Sequence, residues 1–418
     1  MAHFWQAPVW QEAADQLRSG EWLTSSRAQS YSLILLAACA IALVGWIALS
    51  GGMIDRNGKP IGTDFSNPYA AGTLAWAGRA ADAYDPALQH AAEKEVFGGR
   101  EVPFYGWHYP PFFFAIAALV AAVPYAWGLS IWLAASLAAY LAAIRAILPR
   151  PETLLLALAF PAVFVNLGHG QNGFLTAALL GFALHLLDRR PWLAGVLIGL
   201  LAYKPQFGAL IPFALLAGRR WSVVGAAITT VAALIVLSTI ALGTGIWHAF
   251  AQSTAFTQQV VLEMGGTGWE KIQSIFSAAR LWGAGIETAY AAQAGLALVL
   301  ATSLAWLWHG DTAYELKASA LATASLLATP YVLDYDLVVL AVSITFFARH
   351  GLERGFRDYE ISLLAAAWIV PLLARAVTGA TGLPLGLVVL VALYVGTLRR
   401  AMLDRATLSV RGRRIAQA

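Results

Sequence analysis

The sequence predicts an all-α polytopic membrane protein, a bundle of about twelve transmembrane helices. Three observations predict it. Of 418 residues, 59% are hydrophobic and only 12% are charged, against about 25% charged in a soluble domain. Apolar runs recur along most of the chain, separated by short polar turns. Lysines and arginines gather in alternate connections, the asymmetry of a chain that crosses a bilayer repeatedly.

Residues 1–30 are polar, with Trp5, Trp10 and Trp22, and read as a cytoplasmic, partly interfacial segment. A cleaved leader would place its apolar core after a short basic start. The first apolar run, 31–50, is therefore expected to be a retained anchor. A long polar connection, 51–108, follows. Further runs lie at 112–148, 153–167, 174–187, 192–202, 207–217 and 223–242. After a second polar connection, 243–271, they resume at 284–308, 318–330, 337–347, 361–373 and 383–398. A single transmembrane domain over 31–398 results, with a basic cytoplasmic tail at 399–418. Several runs fall short of the roughly 20 apolar residues of a full crossing and need burial within the bundle. The run 112–148 is too long for one straight crossing. Pro124 divides it, and 112–123 reads as a bent or re-entrant start.

Arg145, Arg150, Arg189, Arg190, Arg219, Arg220, Arg349, Arg354 and Arg357 mark the cytoplasmic connections, together with Arg18, Arg27 and the tail. Both termini are then cytoplasmic and the number of crossings is even. The opposite connections are 51–108, 168–172, 204–205, 243–271, 329–334 and 379–381. The expected location is a bacterial cytoplasmic (inner) membrane, with these connections facing the exterior. Membrane lipids are the surrounding partners. No basic, aromatic-interleaved surface suggests nucleic acid. The one cysteine, Cys39, excludes an internal disulfide.

The outward connections hold the unusual residues: Asp64, His108, His169, Gln171, Asn172, Lys204, Glu263, Glu270, Gln273 and Asp334. Irregular polar backbone at a membrane edge needs a protein or water-filled surround, so a cavity on this side is expected. After the first span stands Gly62-Thr63-Asp64-Phe65-Ser66-Asn67-Pro68-Tyr69. Residues 69–81 read as a helix along the membrane surface, closed by a turn at Tyr84-Asp85-Pro86. An aspartate so held suits a general base within hydrogen-bond reach of a hydroxyl; the alternative is a helix cap. Trp107-His108-Tyr109-Pro110-Pro111 fits an interfacial aromatic belt and a helix start, with His108 left over. Gly168-His169-Gly170-Gln171-Asn172-Gly173 carries more polar groups than a helical hairpin needs, which favours ligand contact. Lys204, in Tyr203-Lys204-Pro205, either snorkels to water or pairs with an anion. Residues 243–271 shape a groove or merely connect. Asp334 and Asp336 lie close together at an outer helix junction.

In this order the motifs resemble glycosyltransferase family 87, the polyprenyl-phosphate-sugar-dependent group of the GT-C class. The resemblance rests on Asp64-Phe65 with Tyr69, Gly78, Tyr84-Asp85, Tyr109-Pro110-Pro111, Gly170-Gln171-Asn172, Lys204-Pro205 and Gln273-Ser274. It implies a GT-C-type bundle with membrane-parallel helices in its first outer loop. It also implies an inverting transferase with Asp64 as base, moving a sugar, mannose above all, from a polyprenyl-phosphate donor to a lipid or glycan hydroxyl. Lys204, with His169, Gln171 and Asn172, is implied at the donor phosphate. Tyr69, His108, Tyr109, Gln273, Ser274, Asp334 and Tyr335 are implied in substrate binding. One element departs. The family's serine–proline, tryptophan, acid, histidine pattern reads Thr329-Pro330-Tyr331-Val332-Leu333-Asp334-Tyr335 here. Tyr335 must replace the histidine, or the substrate differs, and a pentofuranose donor is the alternative. No cofactor is expected and no metal-ligand spacing stands out, although Asp64 with Asp334 or Asp336 could recruit a cation. A transporter or lipid flippase is the rival class; it would favour internal repeats and charges at the bilayer midplane, neither evident here. A membrane scaffold would leave the one-sided polar clustering unexplained.

Overall fold

The computed structural model describes residues 8–416; Trp5 and the last two residues of the basic tail lie outside the described residues. Among those described, helices and turns make up the chain, with isolated β-bridges but no sheet. Seven helices are long and apolar enough to cross a bilayer: Ser25–Ala48, Tyr125–Ile147, Trp221–Leu242, Ile286–His309, Asp334–Arg354, Glu360–Thr381 and Leu385–Thr407. Pro111–Ala121, Gly173–Leu186, Pro191–Tyr203 and Pro205–Ala217 are shorter and apolar. Twelve crossings would therefore draw on short or broken helices. The pair Thr153–Leu158 and Pro161–His169 is one such case. The helix Tyr314–Leu327 is another, buried on every side from Ala318 to Leu327. Its alanines, serines and threonines let neighbouring backbones approach, the usual basis of helix association in lipid.

Pro124 separates Phe114–Ala121 from Tyr125–Ile147, which makes the long run 112–148 bend as expected. A proline cannot donate into the ladder and disfavours helix in the residue before it. In the first long connection the helix occupies Ser66–Trp76 rather than 69–81. It ends early because the N–H groups of Ala77, Gly78 and Arg79 fold back onto Thr73, Ala75 and Leu74. Tyr84-Asp85-Pro86 does not close a surface helix. Asp85 instead opens the helix Pro86–Val96, accepting from the N–H groups of Ala87 at 2.9 Å and Leu88 at 3.1 Å. Gly72 holds this connection against the bundle. A Cβ there would stand 2.1 Å from the Ala117 carbonyl oxygen, so only glycine permits the approach.

The second connection is mostly helical: Gly245–Thr257 continues into a π-helical turn, Gln258–Glu263. At the other end of the bundle the first spanning helix starts at Ser25, ahead of residue 31, because Thr24 caps it by accepting from the Arg27 N–H. The last helix runs past residue 399. There Arg400 contacts Asp404 one turn on at 3.0 Å and Glu360 at 2.7 Å.

Candidate active site

Asp64 sits in a single 3-10 turn, Thr63–Phe65, immediately before the helix Ser66–Trp76. Its carboxylate does not cap that helix. Gln171 Nε2 donates to Oδ2 at 3.0 Å and Thr63 Oγ1 donates to Oδ1 at 3.2 Å. His169 Nδ1 lies 3.6 Å from Oδ1 and 2.9 Å from Thr63 Oγ1. Burial pushes the carboxyl up. The hydrogen bonding and charge of His169, the charge of Lys271 and the Gln171 bond outweigh it, and hold Asp64 well below the usual carboxylate range.

The turn that supplies His169 and Gln171 is built by its backbone. Gly170 ends the helix Pro161–His169 at φ +64°, and a Cβ there would meet Phe65 at 2.7 Å. Asn166 closes the turn, donating to the Gln171 carbonyl and accepting from the Gly173 N–H, both at 2.9 Å. Trp132 Nε1 donates to the Gly170 carbonyl at 3.1 Å. Gln171 Oε1 in turn accepts from the Tyr109 hydroxyl at 3.3 Å.

Lys204 does not snorkel. It is buried, with Nζ 2.6 Å from Asp336 Oδ1, and Asp336 Oδ2 accepts from the Leu333 N–H at 3.0 Å. The pair pins the segment 329–336 to the hairpin at Lys204. The same segment bonds to the chain just after the second connection, where the Gln273 N–H donates to the Val332 carbonyl at 2.8 Å. Tyr335 carries two ammonium groups near its ring, Lys204 at 5.3 Å and Lys271 at 5.4 Å from the centroid. Each ammonium lies within the ~6 Å at which a ring attracts a cation.

These groups enclose a cavity of about 720 Å³ at one end of the bundle. Asp64, His108, Tyr109, His169, Gln171, Lys204 and Tyr335 all line it, together with Lys59, Lys271 and Arg375. His108 binds the hydroxyl of Thr257 at 2.6 Å, tying the first connection to the second. Desolvation lowers its imidazole to about 4, which favours the neutral form. Five expected site residues do not line the cavity. Asn172 stands behind Tyr109, donating to its hydroxyl at 2.7 Å. Tyr69 turns its hydroxyl to the Val123 carbonyl at 2.9 Å. Gln273 donates to the Glu270 carbonyl at 3.0 Å, and Ser274 caps the helix Ile275–Leu281 by accepting from the Ser277 N–H at 3.1 Å. Asp334 accepts from the Tyr335 N–H at 2.9 Å and faces Arg375 at 3.7 Å.

Sequence reasoning did not single out Lys271 and Arg375, which the structure places on the cavity. Arg375 carried a signal, a lone arginine in the interior of the largely apolar helix Glu360–Thr381. Lys271, in a polar loop, carried none. Behind Asp64, the buried Glu93 accepts from the Tyr105 N–H at 3.0 Å, and burial pushes its carboxyl up to about 8. Among the described residues no group of three or more His, Cys, Asp or Glu is placed to hold a metal ion.

An all-helical bundle with a partly open cavity at one end, into which several charged side chains reach, defines a polytopic membrane protein with a candidate site at that end. The chain belongs to glycosyltransferase family 87, whose family model matches residues 107–330, more than half of its length. It is a membrane glycosyltransferase. The match takes in His108, the turn at Gln171, Lys204 and Lys271, and stops short of Asp64 on one side and Asp336 on the other. No curated protein and no solved structure matches the chain.

Proposed function

We propose that this glycosyltransferase moves a sugar, mannose by its family resemblance, from a polyprenyl-phosphate donor to a hydroxyl of a lipid or glycan acceptor, in a cavity facing the exterior of the cytoplasmic membrane. One observation carries the reading. Asp64 and Lys204, far apart in sequence, line the same cavity. The acceptor oxygen attacks the anomeric carbon as the bond from that carbon to the phosphate oxygen breaks. The acceptor proton passes to Asp64 and the prenyl phosphate leaves as an anion. A single displacement inverts the anomeric centre. A phosphate leaving group needs little acid help, so one carboxylate suffices, unlike the carboxyl pair of a glycoside hydrolase.

The hydrogen bonds to Asp64 favour its ionised form and, while they hold, make it a weak base. An acceptor hydroxyl that takes the place of one donor restores basicity where the proton is to be received. For the leaving phosphate, Lys204 is already balanced by Asp336. Lys271 and Arg375 supply the charge excess around it, and Lys204 orients the Tyr335 segment between them. The resemblance extends to a pentofuranose donor, and the tyrosine at 335 bears on that choice.

Purified protein incubated with polyprenyl-phosphate mannose, or with its arabinofuranose counterpart, and a membrane lipid extract tests the reading. Mass spectrometry should show a new glycolipid carrying one added hexose with the first donor. A pentose product with the second donor alone would replace mannose by the pentofuranose. Transfer from neither donor, with transfer from a nucleotide sugar instead, would overturn the lipid-phosphate donor.

A further inference from the structure

Far from the reaction cavity lies an apolar groove of about 810 Å³ between the helix Ser25–Ala48 and the bundle. That helix is barely packed, with only 6% of its spanning window buried. It is tethered at one end. Trp22 Nε1 donates to Ser362 Oγ at 2.8 Å, and Arg18 pairs with Asp358 at 2.7 Å. Tyr31, Leu148, Phe160, Ile344 and Trp368 line the groove.

Phe356, at the same end, is shared with a second pocket of about 470 Å³, walled by Arg354, Arg357, Arg400 and Asp404. The helix Asp334–Arg354 starts at the reaction cavity and reaches this pocket after 21 residues. At ~1.5 Å per residue that is about 30 Å, the thickness of a hydrocarbon core. The pocket therefore stands at the opposite bilayer interface.

Its charges do not balance. Asp404 is divided among Arg357 at 2.8 Å, Arg400 at 3.0 Å and His350 at 2.8 Å. Glu360 is taken by Arg400 at 2.7 Å. Arg354 is exposed and, among the described residues, makes no ion pair. An uncompensated guanidinium thus stands in the pocket that shares Phe356 with the apolar groove. Arginines present planar donors suited to phosphate, and basic pockets between helices at this interface bind anionic headgroups.

We propose that groove and pocket together bind one anionic glycerophospholipid of the bilayer. Its acyl chains fill the space beside Ser25–Ala48, and its phosphate sits at Arg354 and Arg357. The sugar donor is not the occupant, because its phosphate must reach Asp64 at the other interface. The bound lipid completes the packing of a helix that the protein alone leaves open. This inference does not depend on which donor the enzyme uses.

Native mass spectrometry of the full chain, recovered from vesicles of equimolar phosphatidylglycerol and phosphatidylcholine, tests it. The wild-type protein should retain phosphatidylglycerol over phosphatidylcholine by about fivefold or more. Arg354→Glu changes an exposed side chain, leaves the fold intact and should abolish the preference. Ala365→Phe narrows the groove and should lower retention of both lipids. Equal retention of the two lipids by the wild type, or an undiminished preference in Arg354→Glu, would overturn the proposal. So would full lipid retention in Ala365→Phe.

Discussion

Three carboxylates show how this protein sets charge one residue at a time. Asp64 is half-buried, and Gln171, Thr63 and His169 facing it favour its ionised form. Asp336 is buried and matched to Lys204 at 2.6 Å. Glu93 is buried with no cation beside it, so its carboxyl rises to about 8. The sign of that last shift is definite. The unfolded chain releases the Glu93 proton near pH 4.3, while the folded chain keeps it until about pH 8, so folding holds more protons in between and stability falls as pH rises across that window. Glu93→Gln keeps an acceptor for the Tyr105 N–H and loses the titration. Its melting temperature, measured from about pH 5 to pH 8, should gain progressively on the wild type; a constant difference would place the proton elsewhere. Lys204 and Lys271 should separate as well. Lys204→Met strands Asp336 and should destabilise the fold by about 3–5 kcal/mol, with Lys204→Met/Asp336→Asn recovering much of it. Lys271→Gln and Arg375→Gln should leave the melting temperature nearly unchanged and raise KM for the donor. Sequence singled out His169 and Gln171 because their turn carries more polar groups than a hairpin needs, while Asp64 could equally have been a helix cap and Lys204 a snorkelling side chain; the structure sets all four on one cavity. It could not reveal that Asp336 neutralises Lys204, since 132 residues separate them. Nor could it tell Asn172 and Gln273, which brace the walls, from the residues that line the cavity.

Among the elements, the turn between Pro161–His169 and Gly173–Leu186 sets the site's precision. It delivers two contacts to Asp64, and its Gly170 packs against Phe65, the residue after Asp64. Gly170→Ala therefore strains the turn twice, at a positive φ and at a 2.7 Å contact. It should lower stability by about 1–3 kcal/mol and also cut turnover, because the Phe65 backbone must give way. Turnover equal to wild type at a temperature where the variant is fully folded would detach this turn from Asp64. The bend at Pro124 was legible, since a proline in a long apolar run has few other outcomes. The break at Pro161 was not anticipated, because residues 153–167 read as one apolar run. The first surface helix was displaced toward its N-terminus because its end is set by backbone bonds after Trp76, which hydropathy does not register.

At the scale of the whole molecule, composition, the recurrent apolar runs and the placing of lysines and arginines pointed to the class. They could not count the crossings, because helices such as Tyr314–Leu327 are short, rich in small residues and shielded from lipid by their neighbours. Charge divides the two ends. A chamber lined by Asp64, Lys204, Lys271 and Arg375 occupies one, and a network around Asp404 and Arg400 occupies the other. With Cys39 replaced by serine, a cysteine at Asn57 should react with a membrane-impermeant maleimide in intact cells. One at Glu353 should react only after the membrane is opened, and the reverse pattern would invert the topology. The most direct measurement concerns Asp64, the base of the proposed mechanism. Purified Asp64→Asn should bind the polyprenyl-phosphate sugar as the wild type does, yet form glycolipid about 10²–10⁴-fold more slowly. Turnover at the wild-type rate, with the donor still bound, would remove Asp64 from the reaction and contradict the mechanism built around it.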